Sequence, residues 1–145
     1  MSRELSPSQL HEAAFYCDLC GDIAATVYFV PPMEMDPRFV DAGPDLPPGV
    51  GTIGQENPRV SIDGGPVSVT ISVAKERVPA VAAALASKDI TGLRAVDSEF
   101  APFWCFRCEK SYCRKHWKKR TVFDEGFFDY IEGLCPMNHR QILAD

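Results

Sequence analysis

The sequence predicts an α+β fold in which the two ends of the chain lie together. Three observations predict it. Cysteine and histidine residues form close pairs near both ends of the 145-residue chain. Between these ends, residues 67–73 alternate between apolar and polar side chains, as in a half-buried strand. An alanine-rich stretch that opens at Pro79 has the composition and apolar spacing of a helix ending near Lys88.

The close pairs are candidate metal ligands. Of the six cysteines and three histidines, eight residues fall into four pairs: Cys17/Cys20, Cys105/Cys108, Cys113/His116 and Cys135/His139. A structural zinc site takes four thiolate or imidazole ligands in a tetrahedron, and a close pair lets one turn of chain supply half of them. The sequence therefore predicts two structural Zn²⁺ ions as cofactors.

The four pairs can combine in three ways, and their spacing alone leaves all three open. The interleaved combination gives one site Cys17, Cys20, Cys113 and His116 and the other site Cys105, Cys108, Cys135 and His139. Each site is then Cys3His. We expect this combination because the second site then has the parts of a treble clef: a knuckle, a hairpin and a helix.

Local patterns predict the hairpin and the helix. Residues 122–128 contain an acidic–glycine turn typical of a β-hairpin. The four-residue separation of Cys135 and His139 would place both ligands on one face of a terminal helix.

Proline and glycine divide the chain into segments. Residues 31–66 hold eight of the twelve prolines and six of the ten glycines, which predicts a long irregular connection. Residues 67–97 then form an inserted strand–helix–strand segment, whose second strand is the LRAVD that follows Gly92. Residues 1–30 and 98–145 make the two-zinc module. Ser6, Pro7 and Gln9 predict the start of a helix that continues to the first CxxC.

Charge and hydropathy restrict the classes of partner and the cellular compartment that we expect. The formal net charge is -5, no run approaches the roughly 18 apolar residues of a membrane span, and the first residues lack the pattern of a secretory signal. We expect a soluble, cytoplasmic protein with reduced thiols and no membrane partner. Three disulfides are the alternative, but the interleaved histidines argue against them. Within this acidic chain, residues 107–120 carry seven basic residues and one acid, Glu109.

Residues in and beside the ligand pairs resemble those of RING fingers. Cys17-Asp18-Leu19-Cys20 is similar to their opening CxxC, and Trp117 follows the sixth ligand. Cys135-Pro136-Met137-Asn138-His139-Arg140 is similar to their closing CPxC and basic residue. The resemblance covers residues 17–20 and about 103–143, and it implies a cross-braced fold.

The chain departs from that family in three places. It has 84 residues between Cys20 and Cys105, a CxxC where RING fingers have a cysteine and then a histidine, and a CxxxH at the end. Cys105 to His116 is also similar to the zinc fingers of ubiquitin-related stress-associated proteins, without their following histidine and cysteine.

These observations lead to a binding function. A closed Cys3His site leaves zinc no position for water, so we expect no hydrolytic zinc chemistry and no catalytic residue. The RING resemblance implies that Leu19, Trp117 and Pro136 form an apolar patch for a ubiquitin-conjugating enzyme. It also implies that Arg140 pins the ubiquitin-like tail. The chain would then be a ubiquitin-ligase-like adaptor, at most a transferase that acts by positioning.

Two alternatives remain open. Leu19, Trp117 and Pro136 could instead cover the small cores around zinc, in a structural or adaptor protein unrelated to ubiquitin. The basic segment 107–120, with its interleaved aromatic residues, could instead bind nucleic acid.

Overall fold

The computed structural model describes residues 12–34, 37 and 56–144, and it forms nine strands and two α-helices within them. The strands are β1 (Glu12–Tyr16), β2 (Ile23–Val30), β3 (Arg59–Gly64), β4 (Val69–Ser72), β5 (Trp104–Cys105), β6 (Lys110–Ser111), β7 (Lys118–Asp124), β8 (Phe127–Leu134) and β9 (Arg140–Ala144). The helices are α1 (Val78–Ala86) and α2 (Ile90–Val96). None of the described helices is long and apolar enough to cross a membrane.

The first four strands form an antiparallel sheet in the order β1-β2-β3-β4. Its central strands are rich in β-branched and aromatic residues, which favour extended chain. Helix α1 packs on β1 and β2 of this sheet, and α2 packs on α1. Val81, Leu85 and Leu93 from the helices join Val27 and Ile62 from the sheet in one apolar core, and all five are at most 1% exposed. Burying each such side chain stabilises the fold by about 1.5–3 kcal/mol.

The predicted strand and helix of the inserted segment are confirmed at β4 and α1. Val69 and Ile71 of β4 are half-buried and alternate with exposed Thr70 and Ser72, as the pattern predicts. Helix α1 begins at Val78, with Pro79 in its first turn, where a missing N–H costs nothing. In the sheet, β4 pairs with β3, so this segment shares a sheet with the strands that flank the first CxxC.

The prediction that LRAVD forms a second strand is wrong, because residues 90–96 form α2. Asp89 caps this helix: its carboxylate accepts a hydrogen bond from the N–H of Gly92 at 3.0 Å. An aspartate immediately before an apolar run is a helix start signal, and here it outweighs the glycine inside the helix.

Two further predictions in the first half of the chain are wrong. The helix expected to continue to the first CxxC is replaced by strand β1, in which Ala13 and Phe15 alternate with more exposed residues. Its predicted start at Ser6, Pro7 and Gln9 lies outside the described residues. The segment 31–66 is not irregular throughout, because it contains β3, whose first four residues are all buried. The guanidinium of Arg59 in β3 donates to the carbonyl oxygens of Pro31 and Glu34.

The predicted hairpin is confirmed as β7 and β8, joined by a turn at Glu125 and Gly126, both of which have positive φ. Strand β9 adds to β8 and completes a three-stranded sheet.

The predicted terminal helix is wrong. Residues 135–139 form a turn between β8 and β9, in which Pro136 and Asn138 are turn formers and Asn138 has a φ of 64°. The described residues therefore lack the helix on which the treble-clef prediction rested. A second apolar core covers this part of the molecule, where Tyr112, Trp117 and Leu143 pack with four of the paired cysteines.

Candidate metal centres

The structure gathers the eight paired residues into two groups. Centre 1 contains Cys17, Cys20, Cys113 and His116, and centre 2 contains Cys105, Cys108, Cys135 and His139; within each group the ligand atoms all lie within 4.8 Å of one another. This is the interleaved combination, in which the first pair joins the third and the second joins the fourth. The chain therefore contains two Cys3His groups that could each hold a zinc ion.

Centre 1 joins the turn between β1 and β2 to the segment before β7. The Nδ1 atom of His116 lies 3.4 Å from the Sγ of Cys17 and 3.3 Å from the Sγ of Cys113. The Sγ atoms of Cys20 and Cys113 are 3.7 Å apart. Cys17 and Cys113 are buried and Cys20 is exposed, so one side of this centre faces solvent.

Centre 2 joins the β5–β6 hairpin to the turn between β8 and β9. The Nδ1 atom of His139 lies 3.6, 3.2 and 3.5 Å from the Sγ atoms of Cys105, Cys108 and Cys135. The Sγ atoms of Cys108 and Cys135 are 3.7 Å apart.

These distances match a zinc tetrahedron. Zinc–sulfur bonds of about 2.3 Å and zinc–nitrogen bonds of about 2.0 Å give S···S edges of about 3.8 Å and S···N edges of about 3.5 Å. The observed S···S distances of 3.7 Å agree with this geometry and are far too long for a disulfide, whose S–S length is about 2.05 Å. All six cysteines are free thiols.

Three of the four ligand pairs each form the same kind of local turn, in which a backbone N–H donates to the sulfur of the first cysteine. In the first pair, the N–H of Leu19 donates to the Sγ of Cys17 at 3.4 Å. In the second, the N–H of Cys108 donates to the Sγ of Cys105 at 3.5 Å, and in the fourth, the N–H of Met137 donates to the Sγ of Cys135 at 3.3 Å. A residue with positive φ completes each turn: Gly21, Glu109 and Asn138. These backbone hydrogen bonds help to position the sulfur atoms of the ligand pairs.

Hydrogen bonding and burial shift the pKa values of Cys17 and Cys105 in opposite directions. Burial raises the pKa of Cys17, but hydrogen bonds with the backbone of Cys113, Cys20 and Leu19 outweigh it and bring the pKa down to about 6. Burial, together with hydrogen bonds to neighbouring thiols, raises the pKa of Cys105 to about 11. Cys17 is therefore a thiolate near neutral pH, whereas the thiol of Cys105 would release its proton to solvent when a metal binds.

Four protein ligands close each centre, so a bound zinc ion would have no free position for water. Such an ion holds surrounding chain in place and does not activate a nucleophile. With three thiolates, each zinc centre carries a net charge of -1, which nearby basic residues such as Lys115 and Lys110 can offset.

A groove of about 310 Å³ lies between the first CxxC turn and centre 2. Its apolar lining comes from Leu19, Tyr112, Pro136 and Met137, and Lys110 lies at its polar edge. Leu19 is 58% exposed and Met137 is 66% exposed, so two large apolar side chains from different ligand turns face solvent at one groove.

Asp18 connects the two sides of this groove through two hydrogen bonds. Its N–H donates to the carbonyl of Ser111 at 2.8 Å, and the N–H of Ser111 donates back to the Asp18 carboxylate at 2.7 Å. Ser111 lies in β6, which belongs to the hairpin that carries Cys105 and Cys108. Leu19 is thereby fixed relative to centre 2 by hydrogen bonds as well as by the metal ligands.

The structure separates the four residues that the RING resemblance assigned to a partner surface. Leu19 and Pro136 line the same groove. Trp117 is only 5% exposed, and its Nε1 donates to the carbonyl of Tyr112, so this side chain belongs to the second core. Arg140 lines a different cavity and forms an ion pair with Glu132.

Sequence reasoning missed four residues of the groove: Asp18, Lys110, Tyr112 and Met137. Asp18 and Met137 lie inside the ligand turns. Because each is adjacent in sequence to a predicted partner-binding residue, Leu19 or Pro136, their positions could have indicated that they line the same surface. Tyr112 precedes the third ligand pair, and only the folded chain brings it beside the first.

The seven basic residues of segment 107–120 are all exposed, and three of them contact different neighbours. Arg107 lies over the ring of Phe106, Lys115 pairs with Asp22, and Arg120 pairs with Glu132.

A family model described as a domain of unknown function (DUF8328) matches residues 8–145. This range includes both centres and the groove. No curated protein matches the chain, and no solved structure matches it.

Proposed function

Because this chain belongs to the family described as a domain of unknown function (DUF8328), we propose its function from the site itself: it is a zinc-stabilised protein-interaction module. The observation that carries the proposal is the groove in which Leu19 and Met137, from two different ligand turns, are both more than half exposed. Two Zn²⁺ ions hold these turns in place, and a partner binds between them.

The groove suits a short apolar segment of a partner protein. Exposed leucine and methionine side chains supply apolar contact area, and methionine adapts to the shape of its partner. Two hydrogen bonds between Asp18 and Ser111, one of them accepted by the Asp18 carboxylate, limit movement of the first turn. A site fixed in this way loses little conformational freedom when a partner binds.

The partner class that we propose is a ubiquitin-conjugating enzyme. Two facts support it: the interleaved order of the ligand pairs is that of the RING cross-brace, and residues resembling the RING opening and closing motifs flank the groove. The module would then contribute no covalent chemistry and would speed transfer by holding the conjugating enzyme and its ubiquitin-like cargo in a productive geometry.

Arg140 has a separate role in this proposal. Its side chain is 62% exposed and lies outside the groove. It would therefore contact the ubiquitin-like tail and not the conjugating enzyme, so its removal should reduce transfer while leaving docking intact.

The test is binding of the zinc-loaded chain to purified conjugating enzymes of the native host, measured by calorimetry. Leu19→Ala combined with Met137→Ala should weaken binding about tenfold or more. Ile142→Ala is the matched control, because Ile142 is 57% exposed, like Leu19, but lies outside the groove. If none of these enzymes binds the wild-type chain, the ubiquitin link is wrong.

A zinc-stabilised adaptor unrelated to ubiquitin is the second candidate, and the same groove supports it because nothing in its lining is specific to one partner. Pull-down from host lysate with the wild type, Leu19→Ala/Met137→Ala and Ile142→Ala distinguishes the two. A partner other than a conjugating enzyme that is lost only with the groove variant would support the adaptor. A partner retained by every variant would place binding elsewhere.

A further inference from the structure

Strand β7 is an uncovered edge of the three-stranded sheet. The strand order is β7-β8-β9, and within the described residues β7 pairs with β8 alone. Six of its seven residues are exposed. The opposite edge differs, because the Gln141 side chain of β9 donates to the carbonyls of Pro102 and Trp104. An exposed edge offers a row of backbone N–H and C=O groups to another strand.

The far end of the β7–β8 hairpin exposes three phenylalanines. Phe123, Phe127 and Phe128 are 63%, 77% and 54% exposed. Phe123 lies opposite Phe128, and Phe127 lies opposite Asp124, so the phenylalanines occupy both faces of the hairpin. Exposed aromatic side chains on both faces are costly for a surface that contacts only water, and their clustering marks an interaction site.

Charge is divided along the same strand. Its first three residues, Lys118, Lys119 and Arg120, are basic, and its last residue, Asp124, is followed by Glu125 in the turn. Of these, Arg120 pairs with Glu132. In the described part of the chain, Lys118, Lys119, Asp124 and Glu125 form no ion pair. The strand is therefore positive at one end and negative at the other.

We propose that two copies of this chain pair through their β7 strands, side by side and antiparallel, to form a continuous six-stranded sheet. Full-length pairing of the seven-residue strand centres on Thr121, which then faces its own equivalent. Lys118 of each copy lies opposite Asp124 of the second copy, and Lys119 lies opposite Phe123. The contact is self-complementary, as a twofold symmetric interface requires.

This arrangement accounts for several features together. The backbone groups of the open edge find partners, and the opposite ends of the strand neutralise one another. The methylene groups of Lys119 cover part of the Phe123 ring. The acidic residues of the turn argue against an anionic membrane or a nucleic acid as the occupant, because Asp124, Glu125 and Asp129 surround the phenylalanines.

Sedimentation equilibrium of the zinc-loaded full chain, from micromolar to millimolar concentration, tests the proposal. The wild type should form dimers that weaken as salt increases, because the paired charges are exposed. Lys118→Glu places two acids opposite each other at both symmetric contacts and should raise the dimer dissociation constant about tenfold. Asp124→Lys should do the same.

The decisive test is the double variant in which the charges at positions 118 and 124 are exchanged. Lys118→Glu combined with Asp124→Lys restores opposite charges in the proposed register and should recover dimer formation. Phe123→Ser should weaken the dimer, because it removes the ring that Lys119 of the second copy covers, whereas Met33→Asn should not, because Met33 is exposed to a similar degree at a site remote in sequence from the hairpin. Circular dichroism of each variant confirms that the monomer still folds.

A wild-type chain that stays monomeric throughout this concentration range overturns the proposal. So does a dimer that is unaffected by either single charge reversal, or a charge swap that fails to restore association. Binding of an oligonucleotide or of lipid vesicles that is lost with Phe123→Ser, without any self-association, would assign the hairpin to a different occupant and would also overturn it.

Discussion

Cys17 and His116 are 99 positions apart in the sequence, yet the Sγ of Cys17 lies 3.4 Å from the Nδ1 of His116. The Cys108 and His139 ligand atoms, from the other centre, are 3.2 Å apart across 31 positions. Because the two sets of ligand pairs alternate along the chain, the loops that they close overlap. Closing such loops costs conformational entropy, and metal binding offsets it. The stability of the fold should therefore depend on bound metal.

The first prediction concerns centre 1. His116→Ala removes one of four ligands, so the variant should bind one zinc ion fewer per chain than the wild type. Lys115→Ala is the control at the neighbouring position. Lys115 pairs with Asp22 at 2.9 Å, but both side chains are more than half exposed, so the loss of this pair should change metal content and stability little. Metal content after dialysis is the measurement. Equal metal content in His116→Ala and the wild type would contradict this prediction.

The second prediction concerns centre 2. Cys108→Ser or His139→Ala should unfold strands β7, β8 and β9, because the second core consists largely of metal ligands and the side chains beside them. The four-stranded sheet and the helices have a separate core and should remain folded.

Hydrogen exchange followed by mass spectrometry separates the two regions. Met137→Ala is the matched control, since it removes an exposed side chain from the same turn as His139. Full amide protection in β8 after loss of the His139 imidazole would contradict this role for centre 2.

The third prediction concerns Gly133, whose backbone lies close to the side chains of Leu143 and Trp117 in the second core. A methyl group at Gly133 would lie 2.5 Å from the Cδ1 of Leu143 and 3.1 Å from the Trp117 ring. Gly133→Ala should therefore lower the free energy of unfolding by about 1–3 kcal/mol. Adding Leu143→Val should recover part of that loss, because it removes the atom in closest contact. Chemical denaturation measures both, and a neutral Gly133→Ala would mean that the core has room there.

The fourth prediction concerns the cap of α2. Hydrogen bonds from the Gly92 N–H and the Thr91 hydroxyl hold the pKa of Asp89 below its ordinary value of 3.8. A depressed pKa stabilises the folded state above the unfolded-state pKa, and this contribution is lost as pH falls through the folded-state value. Asp89→Ala should lower Tm by about 3 °C, and by the same amount at about pH 8 and about pH 6.

Asp89→Asn is the control for the cap, since asparagine also accepts the Gly92 hydrogen bond but does not ionise. It should retain most of the Tm. A difference between wild type and Asp89→Ala that changes markedly within this neutral range would assign the effect to another titrating group.

Local sequence patterns predicted the elements that depend on local chemistry. The alternation at residues 67–73 gave β4, and proline followed by alanine-rich chain gave α1. The acidic–glycine turn near Gly126 gave the β7–β8 hairpin. The ligand pairs were recognisable because zinc restricts both residue type and spacing.

The wrong predictions arose where two structures share one pattern. The spacing of Cys135 and His139 suits one face of a helix and also suits a turn around a metal. Pro136 and Asn138 are the residues that favour the turn. Strand β3 was hidden among prolines and glycines. The burial of Trp117 depends on Leu143 and Gly133 in strands that local patterns do not bring to it.

Metal analysis of the purified chain tests the central claim most directly. Inductively coupled plasma mass spectrometry, with protein concentration from amino-acid analysis and thiols counted before and after denaturation, should find two zinc ions and six reduced cysteines per chain. Removal of the zinc by a chelator should lower the melting temperature and unfold strands β7, β8 and β9. Protein that is fully folded with no bound metal, or whose cysteines are paired in disulfides, would contradict the account.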